Sequence, residues 1–284
     1  MSAPHHCLTV SCPDTIGIVA AVATFFAARR INIVEAAYFA DTGTKRFFMR
    51  TVFDAETNWT PALSDAFAAT VGGPFNMDWQ VHDGRRKARL MILVSRFDHC
   101  LNDLLYRHRA GTLPVEIPAI VSNHADLKPL ADWHGIPFHH LSVDATNRAA
   151  QEAAIAKLAE DARIDLVILA RYMQVLSSAM ARRFAGRAIN IHHSFLPSFK
   201  GAAPYRQAHE RGVKLIGATA HYVTDTLDEG PIIEQEVERV DHTQTVDDLV
   251  AIGRDIENIV LARAVRFHIE HRVLLNGHRT VVFR

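Results

Sequence analysis

The sequence predicts an α/β protein of two domains: a ferredoxin-like βαββαβ unit, then a Rossmann-like domain built on a mainly parallel, doubly wound sheet. Three observations predict it. The first 82 residues read strand, helix, strand, strand, helix, strand. Beyond residue 87, single strands alternate with helices. Between the two patterns stands Asp83-Gly84-Arg85-Arg86-Lys87, a glycine followed by three basic residues, which reads as a linker. The expected boundaries are 1–83 for the first domain, 84–87 for the linker and 88–284 for the second domain.

In the first domain a strand at 8–10 leads through Ser11-Cys12-Pro13-Asp14 into a helix. Its apolar positions Ile16, Val19, Ala20, Ala23, Phe26 and Ala27 keep helical spacing, with Asp14 as the expected N-terminal cap. A strand at 31–40 is reversed by Asp41-Thr42-Gly43. Residues 46–53 then alternate, with Phe47, Met49, Thr51 and Phe53 on one face, so the pair reads as a hairpin. Thr60-Pro61 is a cap followed by proline at the first helical position, and the helix is stopped by Gly72-Gly73-Pro74. Met77, Trp79 and Val81 alternate in a last strand.

In the second domain strands are expected near 90–94, 117–121, 166–169 and 188–191, with helices near 98–109, 126–134, 147–161 and 176–184. Two more strands at 214–223 and 232–240, a long helix at 246–269 and a hairpin around Asn276-Gly277 complete the chain. Ligands of such sheets sit outside the carboxyl ends of the strands. Asn190 and His192 fall at such an end.

Lys plus Arg equals Asp plus Glu at 31 each, so no global field attracts nucleic acid or an anionic membrane, and a small-molecule partner is expected. Three cysteines without framework spacing imply no structural disulfide and a reducing cytoplasm. The apolar run at 18–28 is about half the roughly 20 residues that span a bilayer, and no targeting segment opens the chain. Cys7 and Cys12 beside His5 and His6 have poor zinc spacing, so no metal is expected.

Breaking an amide-like bond needs a nucleophile, donors for the oxyanion and a proton for the departing nitrogen. Residues two apart on a strand point the same way, so Asn190 and His192 face one pocket, while His193 points elsewhere. Asp228, in a turn-rich loop ending at Gly230-Pro231, is placed to approach His192, where a carboxylate favours the imidazolium and positions or deprotonates a water. A structural reading stands beside this one. With 17 histidines an adjacent pair is common, and Asn190 or Asp228 also fits a turn or cap.

Asn190-Ile191-His192 with Ser194-Phe195-Leu196-Pro197-Ser198-Phe199-Lys200-Gly201, then Gly217 to Asp225 and Leu227-Asp228-Glu229-Gly230-Pro231, resembles the folate-dependent formyltransferase family over roughly residues 88–283. The resemblance implies a catalytic triad of Asn190, His192 and Asp228. It also implies a pterin site made by Arg171, Tyr172, Met173, Gln174, Val175 and Leu176 with Val223, Thr224 and Asp225. Met173, Val175 and Leu176 equally fit the core-facing start of a helix.

The first 82 residues resemble an ACT domain, and that module ahead of a formyltransferase-type domain resembles the members of the family that hydrolyse 10-formyltetrahydrofolate to formate and tetrahydrofolate. The family's glycinamide ribonucleotide transferases carry a glycine-rich turn after the first strand of this domain. Here Ser95-Arg96-Phe97-Asp98-His99-Cys100 has no glycine and has an acid, which disfavours a phosphorylated acceptor and leaves water as the nucleophile. The resemblance further implies no cofactor beyond the folate, self-association through the ACT domain, and an amino-acid effector near Asp14, Thr15, Ile16 and Gly17. Two other readings stay open: transfer of the formyl group to an amine, and an amino-acid-sensing protein whose second domain is inactive.

Overall fold

The structure, a computed structural model, describes residues 5–54, 58–196 and 204–284. The chain divides into two compact units, one of residues up to Lys87 together with Phe267–Arg284, the other Ala88–Arg266.

The first unit contains β1 (His5–Pro13), α1 (Ile18–Ala28), β2 (Ile33–Asp41), β3 (Arg46–Asp54), α2 (Pro61–Phe67) and β4 (Asp78–His82). Its sheet has the order β2-β3-β1-β4 and is antiparallel at every pairing, the ferredoxin-like arrangement expected. The buried face of α1, Ile18, Val22, Phe25 and Phe26, packs on Leu8, Val10, Phe47, Met49 and Phe53, with Phe67 edge-on to Phe25 at 5.0 Å. Each fully buried side chain of this kind contributes about 1.5–3 kcal/mol. Thr60 caps α2 as expected, its Oγ1 accepting from the Leu63 amide at 3.2 Å.

The structure corrects two details. Asp14 does not cap α1: its amide donates to the Lys45 carbonyl at 3.0 Å, keeping the chain on the hairpin. The turn into the helix is made by Gly17 at φ 98, a conformation that glycine adopts without a Cβ penalty. The second concerns the far face of β3, where Phe48 and Arg50 are also buried. Strands Val273–Asn276 and Arg279–Val282 form the expected hairpin. Leu274 and Phe283 cover Phe48, Arg50 donates from Nε and Nη2 to the Glu270 carbonyl at 3.1 Å, and Asn276 Nδ2 donates to Asp41 at 2.6 Å. Residues 267–284, expected with the second domain, therefore group with the first unit.

The second unit contains β5 (Arg89–Val94), α3 (His99–Arg109), β6 (Glu116–Ser122), α4 (Lys128–Trp133), β7 (Phe138–His140), α5 (Arg148–Asp161), β8 (Leu166–Leu169), α6 (Ser178–Arg183), β9 (Ala188–His192), α7 (Pro204–Glu210), β10 (Leu215–Tyr222), β11 (Ile232–Arg239) and α8 (Val246–Ile269), whose last three residues group with the first unit. The seven strands lie in the order β11-β10-β9-β8-β5-β6-β7. β5 to β9 run parallel, whereas β10 and β11 are antiparallel to their neighbours. Residues 90–94 are fully buried on both faces, the reason they read as an unbroken apolar run. The chain leaves β5 toward β6 and β7, then returns to β8 on the other side. That reversal opens a crevice at the carboxyl ends. The sequence reading missed β7, three residues long, and α7, of seven, because neither is long enough to show a period.

Among the described residues no helix is long and apolar enough to cross a membrane. Cys7, Cys12 and Cys100 are free and buried.

Candidate active site

β9 carries Asn190 and His192 to the carboxyl edge of the sheet. In the antiparallel register Asn190 lies opposite His221 of β10, and His192 opposite Thr219. The Asn190 Nδ2 group is 3.3 Å from His221 Nε2, while His221 Nδ1 donates to the Tyr222 carbonyl at 2.9 Å, so Nε2 is the accepting nitrogen. One amide hydrogen of Asn190 is thereby held and the other is left for a ligand.

Asp228 enters from the loop after β10, with φ 57. Its Oδ2 is 3.3 Å from His192 Nδ1 and its Oδ1 is 3.7 Å from His221 Nε2. Burial alone would raise this carboxyl, but the hydrogen bond from His192, and the charge that His192 and His221 bring when protonated, outweigh it and hold Asp228 well below the usual carboxylate range. The loop returns through Gly230, where a Cβ would lie 1.6 Å from the Tyr222 carbonyl oxygen. Only glycine lets the backbone pass that close, which fixes where Asp228 points. Among the described residues His192 Nε2 is buried without a hydrogen-bond partner.

All three expected catalytic residues line one cavity of about 280 Å³. All nine expected folate-site residues line it too. Met173 and Val175 are exposed and no helix starts there: α6 begins at Ser178, capped by Ser177, not at 176. Leu176 and Val223 pack on the core, and Tyr172 turns inward, its hydroxyl accepting from Gln151 Nε2 at 3.0 Å. The loop is pinned at its base, because the Met173 amide donates to Ser95 Oγ at 2.9 Å and Ser95 donates to Asn123 Oδ1 at 2.7 Å. Asp225 forms a long, exposed ion pair with Arg182 at 3.9 Å.

Two histidines of the cavity wall were not singled out from the sequence as site residues. His221 was detectable only through the β9–β10 register. His193, expected to point elsewhere, stacks on His192 with ring centroids 5.1 Å apart and lines the same cavity, because β9 ends at His192 and strand alternation ends with it. Burial, then the charge of Arg171, lowers His193 to about 4, so it is neutral at pH 7.

Beside the cavity Glu257 of α8, 1% exposed, gathers a second cluster. His99 Nε2 lies 2.8 Å from Oε2, Tyr205 donates to Oε1 at 2.8 Å, and Arg171 Nε is 3.4 Å from Oε2. His99, Cys100 and Glu257 bring three ligand-type atoms within 4.8 Å of one another. Both carboxylate oxygens are nevertheless engaged, a guanidinium adjoins them, and burial pushes the Cys100 thiol well up, which is poor chemistry for a cation. In the loop after β5, Asp98 stands at the start of α3, where its charge opposes a phosphate.

Asp14, Thr15, Ile16 and Gly17 form an exposed turn in the first unit, with Ile16 98% exposed. The Pro197 to Gly201 part of the family motif lies outside the described residues.

The formyl transferase family model matches residues 88–265, nearly the extent of the second unit. A formyltetrahydrofolate deformylase from Corynebacterium sp. (strain P-1) is 50% identical over 283 residues, covering 99% of this chain and 98% of the relative. The chain belongs to the formyltetrahydrofolate deformylase family. The crystal structure of the deformylase from Burkholderia mallei superimposes with TM-score 0.94 at 52% identity, over 99% of this chain and 100% of that one. A glycinamide ribonucleotide transformylase from Symbiobacterium toebii matches with TM-score 0.66 at 34% identity, over 70% of this chain and 95% of that one. What it leaves unmatched is about the size of the first unit, the part this chain shares with deformylases over their whole length.

Proposed function

We propose that the protein hydrolyses 10-formyltetrahydrofolate to formate and tetrahydrofolate. The observation that carries this is the convergence of Asn190, His192 and Asp228 on one cavity, with His192 Nδ1 3.3 Å from Asp228 and the far nitrogen without a hydrogen-bond partner among the described residues. The pterin lies against residues 171–176 and 223–225, whose exposed Met173 and Val175 give apolar contact while neighbouring backbone groups supply donors and acceptors.

His192 and Asp228 work as one proton-accepting unit. Asp228 holds Nδ1–H, and Nε2 takes a proton from water as its oxygen attacks the formyl carbon. Asn190 donates its free amide hydrogen to the oxyanion, its other hydrogen anchored on His221. The imidazolium then protonates the departing nitrogen, the carbon–nitrogen bond breaks, and formic acid ionises. No step is routed through a metal or a cofactor. Water rather than an amine is the acceptor in this reading because no glycine-rich phosphate turn follows β5 and Asp98 occupies its place.

The reading sets the enzyme in the cytoplasm, in one-carbon and purine metabolism, with no nucleic-acid or membrane partner. It includes an amino-acid effector at the exposed turn 14–17 and self-association through the first unit. The edge strand β2 supports the latter, since it leaves Val34, Tyr38 and Phe39 exposed. The deciding experiment is incubation with 10-formyltetrahydrofolate alone. Stoichiometric formate and tetrahydrofolate are expected, whereas formylated product and no formate in the presence of an amine would replace hydrolysis by transfer. Thermal shift with glycine or methionine tests the effector, and sedimentation tests the assembly.

A further inference from the structure

We propose that Arg171 is the seat of the carboxylate product, a specificity-determining residue that captures formate as it leaves the triad. The inference rests on the hydrolytic reading and gives Arg171 a role toward the product in addition to its place in the pterin wall.

The side chain of Arg171 is 10% exposed, and its Nε and Nη1 are buried with no hydrogen-bond partner among the described residues. A guanidinium so placed is costly unless an anion answers it. Its resident counter-charge answers it only in part. Glu257 stands 3.4 Å away, already committed to His99 through Oε2 and to Tyr205 through Oε1. The pairing balances charge and fixes the guanidinium, yet leaves N–H groups unused. The Phe97 ring lies 5.2 Å from the guanidinium carbon on another side.

The same residue lines the cavity of Asn190, His192 and Asp228, and its charge reaches His193, which stacks on His192. Its backbone holds φ 63, a conformation a non-glycine residue adopts at a cost. An unsatisfied planar donor set on a residue that lines the cavity of the triad suits a carboxylate. Hydrolysis creates that anion there: of the two protons of the attacking water, one goes to the folate nitrogen and one is released when formic acid ionises. Transfer to an amine produces no carboxylate, so it calls for no such seat.

The test is product inhibition by sodium formate, with sodium acetate as the size control, on the full-length protein and on Arg171→Gln and Arg171→Lys. Inhibition constants are compared as ratios whatever the turnover of each variant. The wild-type enzyme is expected to be inhibited by formate more strongly than by acetate. Arg171→Gln should raise the formate constant at least about tenfold, the weight of one charge-assisted pair, and Arg171→Lys should raise it less. An unchanged constant in Arg171→Gln overturns the proposal. If neither variant folds, line broadening of carbon-labelled formate on the wild-type protein decides, and its absence overturns the proposal. Binding of formate at Arg171 by a protein that does not hydrolyse the folate would sink the hydrolytic reading and leave this site standing. Hydrolysis without sensitivity to formate would do the reverse.

Discussion

Replacing Asp228 by asparagine keeps the shape of the side chain and removes the charge 3.3 Å from His192 Nδ1 and 3.7 Å from His221 Nε2. As Nε2 takes the proton from water, His192 becomes an imidazolium beside that carboxylate. Two unit charges at this distance attract by about 5 kcal/mol at an effective dielectric of about 20. The asparagine dipole restores part of this, and proton-transfer catalysis as a whole contributes about 10²–10⁴, or about 2.7–5.4 kcal/mol of barrier. Turnover of Asp228→Asn should therefore fall by about 10²–10⁴, while KM stays near wild type because the pterin wall at 171–176 is untouched. The assay is formate release at saturating 10-formyltetrahydrofolate, with a thermal melt to show that the variant is folded. Turnover within about fivefold of wild type, against the range expected of proton transfer, would refute the pairing of Asp228 with His192 in the reaction.

Asn190→Ala removes an oxyanion donor and should lower kcat by about 10²–10³, read in the same assay; near-normal turnover would remove Asn190 from the mechanism. Gly230→Ala forces a Cβ onto the Tyr222 carbonyl, so both activity and melting temperature should drop, and a wild-type profile would show that the Asp228 loop is not held there. Phe48→Ala empties a fully buried site beneath Leu274 and Phe283 and should destabilise the first unit by about 3–5 kcal/mol in denaturant melts. His82 and His271 stack at 3.5 Å, and burial pulls them down to about 4 and about 3. Unfolding raises both to the ordinary histidine value near 6.5, so the unfolded chain binds the extra protons. Stability is then full above that pH and lost as pH falls toward 4, by up to about 1.4 kcal/mol per pH unit for each ring. His271→Gln should flatten the acid limb of the melting temperature against pH.

Much of this was legible in the sequence where local pattern and tertiary structure agree. The helix 246–269, the hairpin at Asn276-Gly277 and the hairpin at 41–43 carry their own periodicity or turn chemistry. Asn190 and His192 were placed on one face by strand alternation alone. Burial on the far face of β3 was hidden because its cover, residues 267–284, is remote in sequence, and no local period announces which sheet a terminal hairpin will join. His221 was hidden for the same reason, since its partnership with Asn190 exists only in the β9–β10 register. His193 was misjudged because alternation was extended one residue past the end of the strand.

The site also shows how two carboxylates, the half-buried Asp228 and the buried Glu257, divide the available partners. Asp228 faces His192 and His221, whereas Glu257 faces His99, Tyr205 and Arg171. Had the cavity held a single acid, the guanidinium, always charged and able to chelate, would outcompete an imidazole for it. Asp228 paired with Arg171 would leave His192 Nδ1 unanchored and its Nε2 a poorer base. Glu257 prevents this by holding Arg171 at 3.4 Å. Glu257→Gln is thus expected to impair turnover without touching any group of the triad, and to shift the pH profile, because the released guanidinium turns toward Asp228. A loss of melting temperature with no change in that profile would assign Glu257 to packing alone.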